Sequence, residues 1–338
     1  MTISELIAAR EPDWQALEKL LGTYSNPFRS KSPEDVAQLT SLYRTVSSDL
    51  ALAESHHLPV KTVAYLNNLV GRAHHCLYRK RKLCLSDFTR TIFFDAPRWI
   101  ITDPIFWAAL ALFWCPFLVC LCACKSDPEI AIEIVGEKKL EIMEYMYRYL
   151  PKMEPLERIS SVSLYIFHNG TIGFYTFGLS VLGLVPGLFL FIYNAVQLGS
   201  IFGYMQSAGI DGEVTANFLE FTTAHAPFEL TAIVLSAAAG MRIGFSVVMT
   251  RGYSRLDSMR RASFQAFPTI AAAFVLFFLA AIIEAFISPV EHEWLCDLFG
   301  VESLTLKMIV QYVSLALLIF YFVGLGGIGA IRARFFQR

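Results

Sequence analysis

Between Ser160 and Ile210 the chain contains no Asp, Glu, Lys or Arg. At about 1.5 Å per residue, an uncharged helical run of that length is too long for one membrane crossing and suits two. The joint falls at Val185-Pro186-Gly187, giving spans at about Leu164 to Leu184 and Leu188 to Gln206. Composition agrees: of 338 residues, 55% are hydrophobic and only 17% charged, too apolar for a soluble domain of this length. A formal net charge of −1 argues against a nucleic-acid-binding surface, so no nucleic-acid partner is expected.

The first hundred residues belong to a different solvent class. Leu6, Ile7, Trp14, Leu17, Leu20 and Leu21 recur near helical spacing. Ser32-Pro33-Glu34-Asp35 announces a second helix, with serine as N-cap and acids in the first turn, whose stripe is Val36, Leu39, Leu42, Tyr43, Val46 and Leu50. A third is expected from Pro59 to Leu77. Met1 to Arg10 lacks the apolar core of a cleavable signal, so the first span is expected to act as its own insertion signal.

The module ends in Arg79-Lys80-Arg81-Lys82, within about 20 residues of the first span, the position of a cytoplasmic flank facing anionic headgroups. Phe88, Ile92, Phe93 and Phe94 then suggest a segment along the interface. Residues 1–97 are read as a cytoplasmic helical module with this interfacial segment, and 98–338 as the bundle.

The remaining spans fall at about Pro104 to Cys124, Ala226 to Met249, Pro268 to Ser288 and Leu306 to Ala330. The fold class is therefore all-α, a polytopic membrane bundle of about six spans with an N-terminal soluble helical module. Lys125 to Ser160 holds six basic against eight acidic residues and is read as a non-cytoplasmic amphipathic helix at about 127–155, resting on the bundle or outer leaflet. A loop with Arg251, Arg255, Arg260 and Arg261 and a C-terminus with Arg332, Arg334 and Arg338 fall inside; the loop with Glu291, Glu293, Asp297 and Glu302 falls outside. Both termini are thus expected on the cytoplasmic side. Gly183-x-x-x-Gly187 and Gly199-x-x-x-Gly203 have the spacing that lets helices approach closely.

Polar residues inside spans are costly and select for partners. His168 and Asn169, His225 and Glu229, and Glu284 come from three spans, yet with alternating directions all five fall in the outer third of the membrane. Two readings stay open: interhelical hydrogen bonds with an internal ion pair that fix the packing, or a water-accessible cavity for a cation or proton. Asn194 and Gln197 are i, i+3 neighbours nearer mid-membrane. Arg242 lies about 20 Å beyond Glu229 and about 220° around the helix, so it is expected to snorkel toward cytoplasmic headgroups.

No catalytic constellation emerges. Phe221-x-x-x-His225 superficially matches one motif of intramembrane glutamate proteases, but the paired-glutamate motif they require is absent. There is no His-Glu-x-x-His, Gly-x-Ser-x-Gly or phosphate-binding loop, and His56-His57 and His74-His75 read as surface residues. Seven cysteines show no Cys-x-x-Cys pair; Cys120, Cys122 and Cys124 alternate about 200° apart on a helix, which favours small apolar residues over a soft-metal site. No enzyme activity, cofactor or metal is expected.

Leu42-Tyr43-Arg44 with Ser48-Asp49-Leu50-Ala51, and Tyr65-Leu66-Asn67-x-Leu69-Val70-x-Arg72-Ala73-His74, resemble the stage II sporulation protein M family of prokaryotic integral membrane proteins. So do His168-Asn169, Asn194 with Leu198-Gly199, and His225-x-x-x-Glu229-Leu230 in the membrane part. Departures are Ala195, where a glycine is usual, and Ala226-Pro227, where a glycine is common. The resemblance implies the bacterial cytoplasmic membrane and envelope partners, among them AAA-type ATPases and von Willebrand A-like proteins. Together with membrane lipids these are the expected partners, and homo-oligomer formation stays open. A non-enzymatic scaffold or adaptor is the first expectation, and an ion- or proton-coupled transporter or channel the alternative.

Overall fold

The computed structural model describes residues 3–24, 33–56, 58–78, 85–149, 155–289, 300 and 303–336. Among them there is no strand, and the chain divides into two compact units, Met1–Cys84 and Leu85–Arg338. The basic run Arg79 to Lys82, the acidic loop from Glu291 to Glu302, and Arg338 lie outside the described residues.

The first unit is a three-helix module of α1 (Ile3–Tyr24), α2 (Pro33–Ser55) and α3 (Val60–Tyr78). Trp14, Leu17, Leu21, Leu39, Val46, Leu66, Leu69 and Ala73 form its core, largely the positions that helical spacing singles out. Trp14 Nε1 donates to Asp49 Oδ2 at 2.9 Å, so the indole is satisfied while its ring is buried. Tyr65 donates to Glu18 at 2.9 Å; burial pushes its phenol up to about 12, and the carboxylate adds to the shift.

The second unit opens with α4 (Leu85–Arg90), a π-helical turn (Thr91–Asp95) and α5 (Ala96–Thr102). Ile92 is buried while Phe88, Phe93 and Phe94 are exposed, the pattern of a segment with one apolar face outward. This segment packs with the bundle, so the division between units falls at residues 84 and 85, ahead of the sequence boundary at 97.

The bundle comprises α6 (Pro104–Ser126), α9 (Pro155–Leu182), α10 (Leu184–Tyr204), α12 (Ala226–Val248), α13 (Arg255–Phe286) and α14 (Ser303–Ile319). α14 continues through a π segment (Phe320–Gly326) into α15 (Gly327–Phe336). Five of these segments are long and apolar enough to cross a membrane: α6, α10, α12, α13 and Ser303–Ile331. α9, at 28 residues, is long enough, but its polar positions, His168 and Asn169 among them, leave it outside that set.

Packing fixes the directions. A Cβ on Gly199 or Gly203 of α10 would collide with the Phe117 or Leu121 carbonyl of α6, so these two run the same way. Gly240 and Gly244 of α12 sit against Phe177 and Ser180 of α9, again in parallel. α13 opposes both: Asn169 meets Glu284 and Gly173 meets Phe277, while Ser258 Oγ donates to the Ser246 carbonyl. α12 ends where α6 begins, through Arg242 and Asp103. α14 starts beside Glu220, just before α12, and its continuation reaches Pro97, just before α6. In chain order, α6, α9, α10, α12, α13 and α14 therefore alternate. α9 runs in the direction a sixth crossing requires.

The charged stretch after α6 differs from a single surface-lying helix. It is a hairpin of α7 (Pro128–Val135) and α8 (Glu137–Arg148), turned at Gly136 with φ of 94°. α7 doubles back along α10: the Ile134 carbonyl accepts from Gln197 Nε2 at 2.8 Å, about 10 Å below the end of that helix. α8 climbs again, with Lys139 at Gln197, Glu144 at Tyr204 and Arg148 at Asp211. The hairpin is re-entrant beside a candidate span. Its physical basis is a short apolar face, Ala131, Leu140 and Tyr147, packed with α11 (Gly212–Thr223).

Two glycines test this geometry. Gly136→Ala forces a Cβ into left-handed backbone and is expected to lose about 1–3 kcal/mol. Gly199→Val must push α10 off the α6 backbone and is expected to lower the melting midpoint in detergent, whereas Gly170→Ala, with open space at its Cβ, leaves it unchanged.

Candidate functional site

α12 is the most enclosed of the apolar helices, because Ala237, Ala238, Ala239 and Gly240 let neighbouring backbones come close. Its first turn presents His225, as N-cap, and Glu229 on one face, since residues four apart are neighbours on a helix. His225 Nε2 lies 3.5 Å from Glu229 Oε2, and its Nδ1 lies 2.8 Å from Ser288 Oγ at the end of α13. Glu284, one turn earlier on α13, accepts from Asn169 Nδ2 of α9 at 3.1 Å. Asn169, His225 and Glu284 are buried, and Glu229 is half-buried.

Four of the five polar residues expected together are thus gathered at one end of the bundle. His168 is the exception. It is exposed, because its neighbour Asn169 turns inward and adjacent helical residues point about 100° apart. One donor atom each from His225, Glu229 and Glu284 lies within 4.8 Å of the other two, an arrangement that could hold a metal ion.

Arg242 does not snorkel. At the opposite end of α12 it makes a two-pronged pair with Asp103, at 2.6 and 2.7 Å, and donates to Gln265 Oε1 at 2.9 Å. Asp103 also caps α6 by accepting from Ile105 N at 3.0 Å. The intrahelical distance that separates Arg242 from Glu229 says nothing about a partner on another helix. Antiparallel packing of α6 and α12 supplies one.

Gln197 is buried and held by the α7–α8 hairpin, while Asn194 is half-buried. Lys307, fully buried in the first turns of α14, pairs with Glu220 of α11 at 3.1 Å. Asp103, Ser288 and the Lys307–Glu220 pair escaped the sequence reading. The Asp103-Pro104 dipeptide, a helix-start signature ahead of a span, is the signal that marks the first of them.

These features define a multi-pass helical membrane protein whose polar side chains meet at the two ends of one central helix. The model of the stage II sporulation protein M family matches residues 109–289, more than half of the chain, and the chain belongs to that family. Residues 4–79, the three-helix module, match a separate model, a domain of unknown function (DUF8413). No curated protein and no solved structure matches the chain.

Arg242→Gln leaves the buried Asp103 carboxylate without its counter-charge and is expected to lose roughly 2–4 kcal/mol of stability, read as a lower melting midpoint. Arg242→Lys should recover only part, since an ammonium cannot reproduce the two-pronged contact.

Proposed function

We propose that the chain is a non-enzymatic membrane scaffold or adaptor of a bacterial cell-envelope complex. The observation that supports it best is the division into two units: a module with its own core, and a bundle in which Arg242 is paired with Asp103 and Lys307 with Glu220. In this reading the module meets a cytoplasmic partner, and the bundle couples it to the outer face of the cytoplasmic membrane. Arg98, Arg251 and Arg255 sit at the Asp103 end, while Asp127, Glu129, Asp211 and Glu213 sit at the other. By the positive-inside rule, the Asp103 end is the cytoplasmic one in this reading. An AAA-type ATPase or a von Willebrand A-like protein is the class of partner that the family resemblance suggests.

The charged hairpin favours a second reading. Glu133, Glu137, Lys138, Lys139 and Glu141 are exposed on a hairpin that descends to the level of Gln197, where hydrocarbon does not tolerate charge. Water beside that face would suit an ion- or proton-coupled transporter or channel.

Deletion of Met1 to Lys82 separates the readings. A scaffold loses recovery of its AAA-type or von Willebrand A-like partner from native membranes, and liposomes containing the wild-type chain or Glu229→Gln show the same ion and proton flux. Unchanged partner recovery, or flux that Glu229→Gln abolishes, contradicts the scaffold reading.

A further inference from the structure

We propose that His225, Glu229 and Glu284 form a binding site for a first-row divalent cation of the zinc class, tying the start of α12 to the end of α13. The inference stands independently of the scaffold reading.

Distance is the first argument. The 3.5 Å between His225 Nε2 and Glu229 Oε2 exceeds the 2.7–2.9 Å of a charge-assisted hydrogen bond. Two donors bound to one tetrahedral zinc at about 2.0–2.1 Å stand roughly 3.3 Å apart. The pair is thus spaced as co-ligands, and the Glu284 carboxylate completes a set whose donors all lie within 4.8 Å.

The surroundings of the donors point the same way. Metal-binding imidazoles almost always give their second ring nitrogen to a fixed acceptor, which sets the tautomer. Here Nδ1 lies 2.8 Å from Ser288 Oγ, and Ser288 is fully buried. The serine hydroxyl is able to accept from Nδ1–H, and in that tautomer the Nε2 lone pair faces the carboxylates. Asn169 Nδ2 orients the Glu284 carboxylate in the same way, at 3.1 Å.

Charge is the third argument. Two carboxylates in a bundle interior can ionise together only beside a compensating charge, and a neutral imidazole supplies none. Arg242 is committed to Asp103 at the far end of α12, and Lys307 is engaged by Glu220. A divalent cation cancels both negative charges at once. One imidazole with two carboxylates suits zinc, manganese or iron over calcium and magnesium, which prefer larger sets of oxygen ligands. Three protein donors leave a fourth position for water.

The test uses the full-length chain purified in detergent without chelator. Elemental analysis is expected to find about one zinc-class metal per chain. Chelator treatment should lower the melting midpoint, and added zinc, but not magnesium, should restore it. X-ray absorption at the metal edge should show only nitrogen and oxygen ligands at about 2.0–2.1 Å. His225→Ala, Glu229→Gln and Glu284→Gln should lose the metal, and Ser288→Ala should weaken zinc binding roughly 10–100-fold. His168→Ala, altering the exposed neighbour, should keep full occupancy. A metal-free wild-type chain whose midpoint ignores zinc overturns the proposal, and this holds even where the variants fail to fold. Retention of metal in both His225→Ala and Glu229→Gln overturns it equally.

Discussion

Hydrocarbon does not hydrate polar groups, and each charge placed in it must find its counterpart on another helix. That constraint shapes the bundle. Arg242 is matched to Asp103, Lys307 to Glu220, and Gln197 to the backbone and lysine of the re-entrant hairpin. Elsewhere in the bundle, helices approach more closely than large side chains allow. Glycines supply the approach: Gly199 and Gly203 bring α10 onto α6, and Gly240 and Gly244 bring α12 onto α9. Smaller polar groups are satisfied locally, as where Thr176 and Ser180 donate to carbonyls one turn back on α9.

α12 is the element that the Arg242 pair and the His225 cluster share. Its first turn is tied to α13 through His225 and Ser288, and its last turns to α6 and α13 through Arg242. Anchors at both ends fix its depth and rotation together. A sliding or turning motion of α12 would have to break the Asp103 pair and the His225 cluster in one step. That coupling is what the proposed adaptor role would require. A cation at His225, Glu229 and Glu284 would stiffen the same joint.

Much of the fold is legible in the sequence, because apolar run length and proline-capped starts are local signals. The spans at about Pro104, Ala226 and Leu306 begin within a few residues of α6, α12 and α14. Alternation then placed Asn169, His225, Glu229 and Glu284 at one depth, and the structure joins them. His168 fails the same argument because depth says nothing of rotation: two adjacent residues share a depth and point to different neighbours. Arg242 fails because its partner is encoded 139 positions away, where Asp103 reads only as a helix cap. The charged segment after α6 looks like a surface helix by composition, and only Gly136, in left-handed backbone, betrays the turn that sends it back along α10.

The whole arrangement depends on α9 packing against α13, in the direction a sixth crossing requires, so that Asn169 reaches Glu284. Thiol cross-linking in native membranes tests this most directly, in a chain whose seven own cysteines are replaced. Asn169→Cys with Glu284→Cys should be bridged within one chain by a short bifunctional reagent, while His168→Cys with Glu284→Cys should stay open. Failure of the first pair, or equal bridging of both, would contradict the account.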